Sequence, residues 1–344
     1  MNYVDENPGS LLNLGITADK IRRKKVKDIV YFVKNFHINY TNICVSRCEL
    51  CAYYRNKNDK DAYTLSIDEI LEKVKYAKEK YDITELHIVG SLNPEISIEY
   101  CEEMLRKIKK NFPEISIKAF TAAEIHFLSK NTKNSVKEIL ERFKDAGLDF
   151  MPGGGAEILD DKIREKICPN KLKSEEYLKI HEIAHNLGIR SNATMLYGHI
   201  ESNEDRVRHI LKIRELQEKT HKFLSFIPLK FHPENTNLYR KGIVKNFTSG
   251  LDDLKTIAIS RILLNNFDNI TAYWVMLGKK MAQIALHYGA NDLNGTVGEE
   301  NITYAAGKIS ERSATVEELK NLIKEAKRIP AIRTSDYKIL EILK

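Results

Sequence analysis

Three cysteines stand close together in the segment NICVSRCELCAYYR (residues 42–55), where they follow the spacing C-x3-C-x2-C. These residues, Cys44, Cys48 and Cys51, are well placed to bind one metal centre, because thiolates are strong ligands of zinc and of iron–sulfur clusters. A closed zinc site takes four protein ligands, and an iron–sulfur cube is normally held by four thiolates. The segment supplies only three. The nature of the fourth ligand is therefore the first question that the sequence raises.

The two remaining cysteines are poor candidates for that fourth ligand. Cys101 lies in an amphipathic helical pattern and Cys168 in the segment ICPNK, and both are typical of small buried residues. An odd total of five cysteines does not indicate a disulfide framework, so reduced thiols are expected. Three thiolates hold three corners of a cube and leave one iron open, which the amino and carboxylate groups of S-adenosylmethionine (SAM) can occupy. A noncatalytic iron–sulfur or zinc protein is the alternative, although an electron-transfer module would close its cube with a fourth nearby cysteine.

The composition is that of a globular enzyme. The chain has 344 residues, of which 42% are hydrophobic and 30% charged. A single α/β barrel reaches this length, although the usual prior is about 150 residues per domain. The formal charge of +7 comes from Lys and Arg interleaved with Glu and Asp, as in EEMLRKIKK, which favours a solvated surface over nucleic-acid binding. With no signal-peptide pattern and no long apolar run, we expect a cytoplasmic protein without membrane insertion.

Short β-rich runs alternate with amphipathic helical patterns along most of the chain. The predicted strands are FHINYTNIC (36–44), ELHIVGS (85–91), SIKAFTA (116–122), LDFMPGG (148–154), IRSNATMLY (189–197), FLSFIPLKF (223–231), NITAYWVM (269–276) and GANDLNGT (289–296). Eight βα units predict an α/β fold in which a parallel sheet closes into a (βα)8 TIM-type barrel. We assign the barrel to residues 36–310, with an N-terminal helical extension (1–35) and a C-terminal helical extension (311–344) packed on it.

Unusual polar and glycine-rich segments follow the predicted strands at their C-terminal ends, where the active site of such a barrel is built. The cysteines follow the first strand. The segments that follow the later strands are GSLNP (90–94), TAAE (121–124), PGGGAE (152–157), YGHIE (197–201) and FHPENT (231–236). We therefore expect these segments to surround one site together with the cysteines.

The cysteine spacing in a loop after the first barrel strand resembles the signature of the radical SAM superfamily. That resemblance implies a [4Fe–4S] cluster held by the three cysteines and the cleavage of SAM to methionine and a 5′-deoxyadenosyl radical. Two departures are visible. The residue before the last cysteine, often aromatic in the superfamily, is Leu50, and VGSLNP lacks the acid that commonly ends the glycine-rich segment. By analogy, Tyr53 would contact the adenine, and Gly90 and Ser91 would bind the SAM amino group.

Further segments are similar to the menaquinone and deazaflavin branch of this superfamily. They include IKAFTAAEI, MPGGGAEI, SNATMLYGHIE and TAYWVMLG, and the similarity spans residues 36 to about 307. FIPLKFHPENT and HINYTN most resemble aminofutalosine synthase, which implies addition of the radical to 3-[(1-carboxyvinyl)oxy]benzoate with loss of carbon dioxide. The alternatives within the branch are dehypoxanthine futalosine cyclase and the deazaflavin synthase subunit. Each implies an electron donor such as a flavodoxin or ferredoxin.

Polar residues at the strand ends are then candidates for contacts with SAM and with a dianionic substrate, because charge-assisted hydrogen bonds are the strong ones. For catalysis the candidates are His199, His232 and Glu157; for SAM they are Tyr53, Gly90, Ser91, Thr121, Glu157 and Asn192; for the substrate they are Lys230, His232, Asn235 and Arg261. A structural salt bridge between Glu157 and Arg164 is an equally good interpretation. Trp274 is expected in the core.

Overall fold

The structure is a computed structural model that describes residues 8–307 and 312–344. Its strands are β1 (Ile29–Val33), β2 (Asn35–Ile38), β3 (Glu85–Ile88), β4 (Ser116–Ala119), β5 (Phe150–Met151), β6 (Arg190–Tyr197), β7 (Phe223–Lys230), β8 (Asp292–Gly295), β9 (Ile329–Arg333) and β10 (Ile339–Ile342). Its helices are α1 (Pro8–Val26), α2 (Ile67–Tyr81), α3 (Ile98–Asn111), α4 (Ala122–Asn131), α5 (Val136–Ala146), α6 (Asp161–Ile167), α7 (Ser174–Asn186), α8 (Asn203–Thr220), α9 (Asn237–Arg240), α10 (Gly250–Leu263), α11 (Trp274–Leu277), α12 (Lys279–Ala285), α13 (Ile302–Ala305) and α14 (Val316–Glu325).

Strands β2 to β7 form a six-stranded parallel sheet in sequence order. A second sheet has the order β10-β9-β1-β8. Isolated parallel bridges, Phe226 to Ile270 and Thr271 to Asp292, join β7 to β8. The other seam is joined by a 3.0 Å hydrogen bond from the His37 N–H to the Val297 carbonyl. The parallel strands thus curl into a ring, and the predicted α/β barrel is confirmed.

The helices begin where the sequence places capping residues. Ser66 caps α2 and Ser97 caps α3, each accepting a hydrogen bond from a backbone N–H in the first turn. In α2 and α5 a glutamate three residues after the serine completes a capping box. The inner faces of these helices cover the sheet with residues such as Ile70 and Val74. Along the described chain, no helix has both the length and the apolar character that crossing a membrane requires.

Two of the predicted strands are shorter than expected. The segment 148–154 contains only the two residues of β5, because Pro152 has no N–H to donate and three glycines follow it. The segment 269–276 forms only the bridges at Ile270 and Thr271, and α11 begins at Trp274. Trp274 is buried as predicted, and its indole N–H donates to the Gly295 carbonyl at 2.8 Å, which fixes this turn of the chain against β8.

The terminal extensions are not wholly helical, which corrects the sequence prediction. Residues 1–35 contain β1 after α1, and residues 311–344 contain β9 and β10 after α14. The reason is that the short apolar runs of β1 and β9 pair with each other in parallel, so neither can be recognised without its partner. The boundary proposed at 310 and 311 lies outside the described residues, and the division into three parts stays a prediction.

Candidate active site

A cavity of about 320 Å³ opens at the C-terminal ends of the barrel strands. All three cysteines of the C-x3-C-x2-C segment line it. Of the other predicted site residues, those that also line it are Tyr53, Gly90, Ser91, Thr121, Glu157, Asn192, Lys230 and His232. Side chains from β2, β3, β6 and β7 form its inner wall. Of the five strand-end segments expected around the site, GSLNP, TAAE, PGGGAE and FHPENT contribute residues to this lining, whereas YGHIE (197–201) does not.

The cysteine loop is held by backbone hydrogen bonds. The Cys44 N–H donates to the Arg55 carbonyl at 3.0 Å, and the Cys51 N–H donates to the Cys48 carbonyl at 3.1 Å. Arg55 also donates to the carbonyls of residues 52 to 54, at distances of 2.9 to 3.2 Å. The hydroxyl of Ser46 lies 3.1 Å from the Cys48 sulfur. These contacts fix three thiols around the rim of one cavity.

The donor set fits an iron–sulfur cube better than a single ion. Among the described residues, no three His, Cys, Asp or Glu side chains converge on a position where one metal ion could sit. In an iron–sulfur cube each cysteine binds a different iron, so the thiolates lie further apart than the ligands of a single zinc ion. Burial raises the pKa of Cys48, and it raises that of Cys51 to about 11. Coordination deprotonates such thiols, so metal binding and thiolate formation are linked here.

Cys101 and Cys168 are both buried, and neither lines the cavity. Cys101 lies on the inner face of α3, and Cys168 ends α6. The segment after α6 nevertheless supports the cysteine loop: the Glu49 N–H donates to the Ile167 carbonyl at 2.9 Å, and the Asn170 side chain donates to the Ser46 carbonyl at 3.2 Å. The interpretation of these two cysteines as small buried residues is confirmed.

Gly90 and Thr121 are connected through Glu124, at the N-terminus of α4. The Glu124 carboxylate accepts hydrogen bonds from the Gly90 N–H at 2.9 Å and from the Tyr40 hydroxyl at 2.7 Å. Its other oxygen accepts from the N–H and the hydroxyl of Thr121, both at 2.8 Å. A side chain at position 90 would meet the Tyr40 ring at 2.4 Å, so only glycine fits there. These contacts fix the turn in which Gly90 and Ser91 were predicted to bind SAM.

Glu157 forms a buried ion pair, but with Lys171 and not with Arg164. The Glu157 carboxylate lies 2.6 Å from the Lys171 ammonium, and both residues line the cavity. Burial raises the pKa of Glu157, but Lys171 and the more distant Arg164 outweigh it, so the net pKa is lower than usual. Arg164 instead donates to backbone carbonyls, including those of Gly155 and Leu172. The predicted salt bridge to Arg164 is wrong, because the Arg164 guanidinium donates its hydrogen bonds to backbone carbonyls of the surrounding loop.

Strand β6 directs alternate residues into the cavity. Asn192, Thr194 and Leu196 line it, whereas Ala193 and Met195 do not. The Thr194 hydroxyl donates to the Gly153 carbonyl at 2.6 Å. The carbonyl oxygen of the Asn192 side chain is buried and has no hydrogen-bond partner among the described residues. Buried acceptors of this kind are normally satisfied, so Asn192 is well placed to bind a donor on a ligand.

The end of β7 contributes two polar side chains. The Lys230 ammonium lies 2.7 Å from the buried carboxylate of Asp253 on α10 and 3.3 Å from the Thr248 carbonyl. His232 Nε2 lies 3.0 Å from the Met276 carbonyl, so this nitrogen donates a hydrogen bond. Both Lys230 and His232 line the cavity, and their contact with a substrate stays a prediction.

Three predicted site residues do not reach the cavity lining. The His199 side chain is fully buried in its own loop, where Nδ1 accepts from the Ile200 N–H at 2.7 Å and Nε2 contacts the Leu196 carbonyl at 3.1 Å. Asn235 is exposed and donates to the Ala305 carbonyl at 2.9 Å. Arg261 is buried on α10, with its guanidinium bound to the Gly289 carbonyl at 2.8 Å and the Asn291 side chain at 2.6 Å. Each of the three side chains binds a protein partner, and none of them lines this cavity.

Several cavity residues were missed by the sequence analysis. They are His37, Asn39, His87, Lys171, Tyr273, Asn294 and Glu300. A signal for His37 and Asn39 was available, because the alternation in FHINYTN places these two residues on one face of the strand. No local pattern indicates Lys171, which reaches the site from the loop after α6.

Two family models match this chain. Residues 38–213 match the model described as "Radical SAM superfamily". Residues 220–344 match the model described as "CofH/MqnC C-terminal region". The first model covers the cysteine loop and the strands up to β6, which are the parts that build the cluster side of the cavity.

The chain is similar over nearly its whole length to named proteins and to solved structures. It is 46% identical to a 5-amino-6-(D-ribitylamino)uracil–L-tyrosine 4-hydroxyphenyl transferase of Methanocaldococcus jannaschii, covering 94% of this chain and 91% of the relative. It is 41% identical to an aminodeoxyfutalosine synthase of Thermus thermophilus, covering 94% and 87%. The fold matches that of methylornithine synthase with a TM-score of 0.75 at 18% identity, covering 95% and 91%. The chain therefore belongs to the radical SAM superfamily, whose members use a [4Fe–4S] cluster and SAM.

Proposed function

We propose that this enzyme is an aminodeoxyfutalosine synthase. In this reaction the 5′-deoxyadenosyl radical adds to the enol-ether double bond of 3-[(1-carboxyvinyl)oxy]benzoate, and rearrangement with loss of carbon dioxide gives 6-amino-6-deoxyfutalosine. The observation that carries the proposal is the end of β7, where the segment FIPLKFHPENT directs Lys230 and His232 into the cavity lined by the cysteines. The 41% identity to the Thermus thermophilus synthase supports it.

The residues of this chain have separable roles in that chemistry. When bound, the cluster supplies the electron that cleaves SAM. Cys44, Cys48 and Cys51 would hold it, and the turn at Gly90, fixed by Glu124, would hold SAM beside it. The ion pair of Glu157 with Lys171 stands on the same wall, where the carboxylate can accept hydrogen bonds from SAM.

Apolar side chains form part of the cavity wall. Leu196, Ile227 and Leu229 line the cavity from β6 and β7. A carbon radical must meet its intended partner before it meets another hydrogen donor, and a closed pocket that excludes water favours this. The substrate carries two carboxylates, so it also needs hydrogen-bond donors. Lys230 supplies one, with Asp253 holding its ammonium in position at 2.7 Å.

A second candidate function has an observation in its favour. The Methanocaldococcus jannaschii relative, at 46% identity, is named for transfer of the 4-hydroxyphenyl group of tyrosine to 5-amino-6-(D-ribitylamino)uracil. The match to the CofH/MqnC C-terminal region is also compatible with a cyclase of the same branch. These reactions begin with hydrogen abstraction, and they release 5′-deoxyadenosine as a stoichiometric product. The synthase reaction incorporates the adenosyl unit in its product.

The fate of adenine therefore tests the proposal. The anaerobically reconstituted and reduced enzyme is incubated with SAM and, separately, with the enol ether, with tyrosine plus the diaminouracil, and with dehypoxanthine futalosine. Adenine-containing products are resolved by chromatography with mass detection. We expect 6-amino-6-deoxyfutalosine with the enol ether and 5′-deoxyadenosine only as a minor product.

Two outcomes would overturn the assignment. Release of all adenine as 5′-deoxyadenosine, with coupling of tyrosine to the diaminouracil, would establish the second candidate. Consumption of dehypoxanthine futalosine alone would establish the cyclase. A flavodoxin or ferredoxin as electron donor and a cytoplasmic location stay predictions from the family resemblance.

A further inference from the structure

Two histidines lie deep in the cavity, on neighbouring strands. His37 on β2 and His87 on β3 are directly opposite each other in the sheet. Their rings are stacked, with centroids 4.5 Å apart and planes inclined by 21°. Both line the cavity, two residues before Asn39 and Val89, which line it nearer the strand ends. Because the cysteine loop follows β2, the histidine pair lies on the side of the cavity away from the thiols.

The hydrogen bonds around His37 determine its tautomer. The Asn35 side-chain oxygen accepts from the Val297 N–H at 2.8 Å, so the Asn35 amide nitrogen faces His37 Nε2, at 3.4 Å. That nitrogen must therefore accept, and Nδ1 carries the proton. No described residue accepts this proton, and none forms a hydrogen bond with either ring nitrogen of His87. Two imidazoles thus present N–H groups to the cavity without a protein partner.

The charges around the pair are balanced, and Lys118 on β4 lies directly opposite His87 in the sheet. The buried Lys118 ammonium lies 2.7 Å from Glu85, and Arg333 lies 2.6 Å from Asp292. Burial lowers the pKa of His37 well below its usual value and that of His87 to about 4, and nearby Lys118 contributes to both. Both rings are therefore neutral in the free enzyme. An anion bound to them would offset the influence of Lys118 and would be received by N–H donors in a region of low dielectric.

We propose that His37 and His87 form the subsite that binds the aryl carboxylate of the substrate. This inference rests on the proposed function. Of the two carboxylates of the enol ether, the one on the reacting alkene is lost as carbon dioxide and must lie near the SAM carbon. The carboxylate on the benzene ring is retained, and it stands meta to the ether oxygen, pointing away from that carbon. Side-by-side N–H donors match the two oxygens of a carboxylate, and they lie where this end of the substrate must go.

Binding of the acid and of its aryl methyl ester tests the subsite. Both compounds are titrated calorimetrically into the oxidised, cluster-loaded enzyme with SAM present, so that no turnover occurs. For the wild-type enzyme we expect the acid to bind at least about tenfold more tightly than the ester, because hydrogen bonds to a charged group are worth this much. In H87F and H37F the Kd for the acid should rise about tenfold, whereas the Kd for the ester should rise by less than about twofold. H87Q, which keeps an N–H donor, should retain more of the preference than H87F.

Controls separate this result from general damage. Iron and sulfide content reports cluster loading in every variant, and H126F, on α4 and outside the cavity lining, should bind both compounds like the wild type. An equal loss for acid and ester in H87F and H87Q, or an unchanged preference in both, would overturn the subsite while the product assay still supports the synthase. If H87F does not take up a cluster, H87Q and H37F make the same comparison. A wild-type enzyme that neither binds nor converts the enol ether would overturn both proposals.

Discussion

Glu124 Oε1 lies 2.9 Å from the backbone nitrogen of Gly90, so a carboxylate at the start of α4 holds the turn that follows β3. Each carboxylate oxygen accepts two hydrogen bonds: one oxygen from Gly90 and Tyr40, the other from the N–H and the hydroxyl of Thr121. A glutamine amide cannot replace this carboxylate, because its NH2 group would face groups that already donate hydrogen bonds. We expect E124Q to lower the free energy of unfolding by about 2–3 kcal/mol and to raise the Kd for SAM.

Urea unfolding and equilibrium binding of SAM measure the two effects. E103Q, an exposed change on neighbouring α3, should leave both quantities near wild type. An E124Q enzyme as stable as E103Q would show that the four hydrogen bonds contribute little.

The cysteine assignment predicts a sharp division among five alanine variants. C44A, C48A and C51A should each lose the cluster and SAM cleavage, because each thiol on the cavity rim would hold one iron of the cluster. C101A and C168A should keep near-normal cluster content and lose only about 1 kcal/mol of stability from small buried cavities. Iron and sulfide analysis after anaerobic reconstitution makes the measurement. Markedly lower loading in C168A would point to a fourth protein ligand.

Lys171 predicts an electrostatic effect on the cluster. Its ammonium pairs with Glu157 at 2.6 Å and is close enough to influence Cys48. A nearby cation favours the more negative, reduced cluster, so K171M should shift the reduction potential in the negative direction, by tens of millivolts. Potentiometric titration followed by electron paramagnetic resonance measures the shift. K166M, an exposed lysine on α6, is the matched control, and equal potentials for the two variants would contradict the prediction.

Periodicity and strand-end position account for what could be predicted from the sequence. The regular βα alternation predicted the barrel, and the position of Asn192 on a predicted strand made it a candidate that does line the cavity. β1 and β9 were missed because each is a five-residue run whose partner lies about 300 residues away in the chain. Pairing over such a distance leaves no local signal.

The same limit applies to individual side chains. Arg261 was a reasonable candidate for binding a carboxylate, yet carbonyls from the segments near Phe267 and Gly289 occupy its guanidinium. His199 is likewise satisfied within its own loop. A sequence reveals which residues are able to bind a ligand, but only the tertiary structure reveals which of them already have protein partners.

His209 predicts a specific pH dependence of stability. Its Nδ1 accepts from the Leu159 N–H at 3.0 Å, and Nε2 donates to the Thr194 carbonyl at 3.0 Å, joining α8 to β6 and to the loop that carries Glu157. Burial lowers its pKa to about 3, and the nearby cations Arg164 and Lys212 act in the same direction. Protonation of Nδ1 would also break the bond from the Leu159 N–H. In the unfolded chain the pKa of this histidine is about 6.5, so below that pH the unfolded chain binds a proton that the folded protein does not bind. Stability is therefore lost as the pH falls from about 6.5 toward 3.

Glutamine at position 209 can accept from Leu159 and donate to Thr194 without titrating. H209Q should be less stable than the wild type at pH 7.5, by about 1–2 kcal/mol, because the two shapes differ. Between pH 7.5 and 5 it should lose about 2 kcal/mol less than the wild type loses, since that is the contribution of one group shifted in this way. Urea unfolding followed by circular dichroism at the two pH values measures the difference. Parallel loss in the two proteins would mean that His209 is protonated in the folded state, and that its bond to Leu159 does not hold the Glu157 loop.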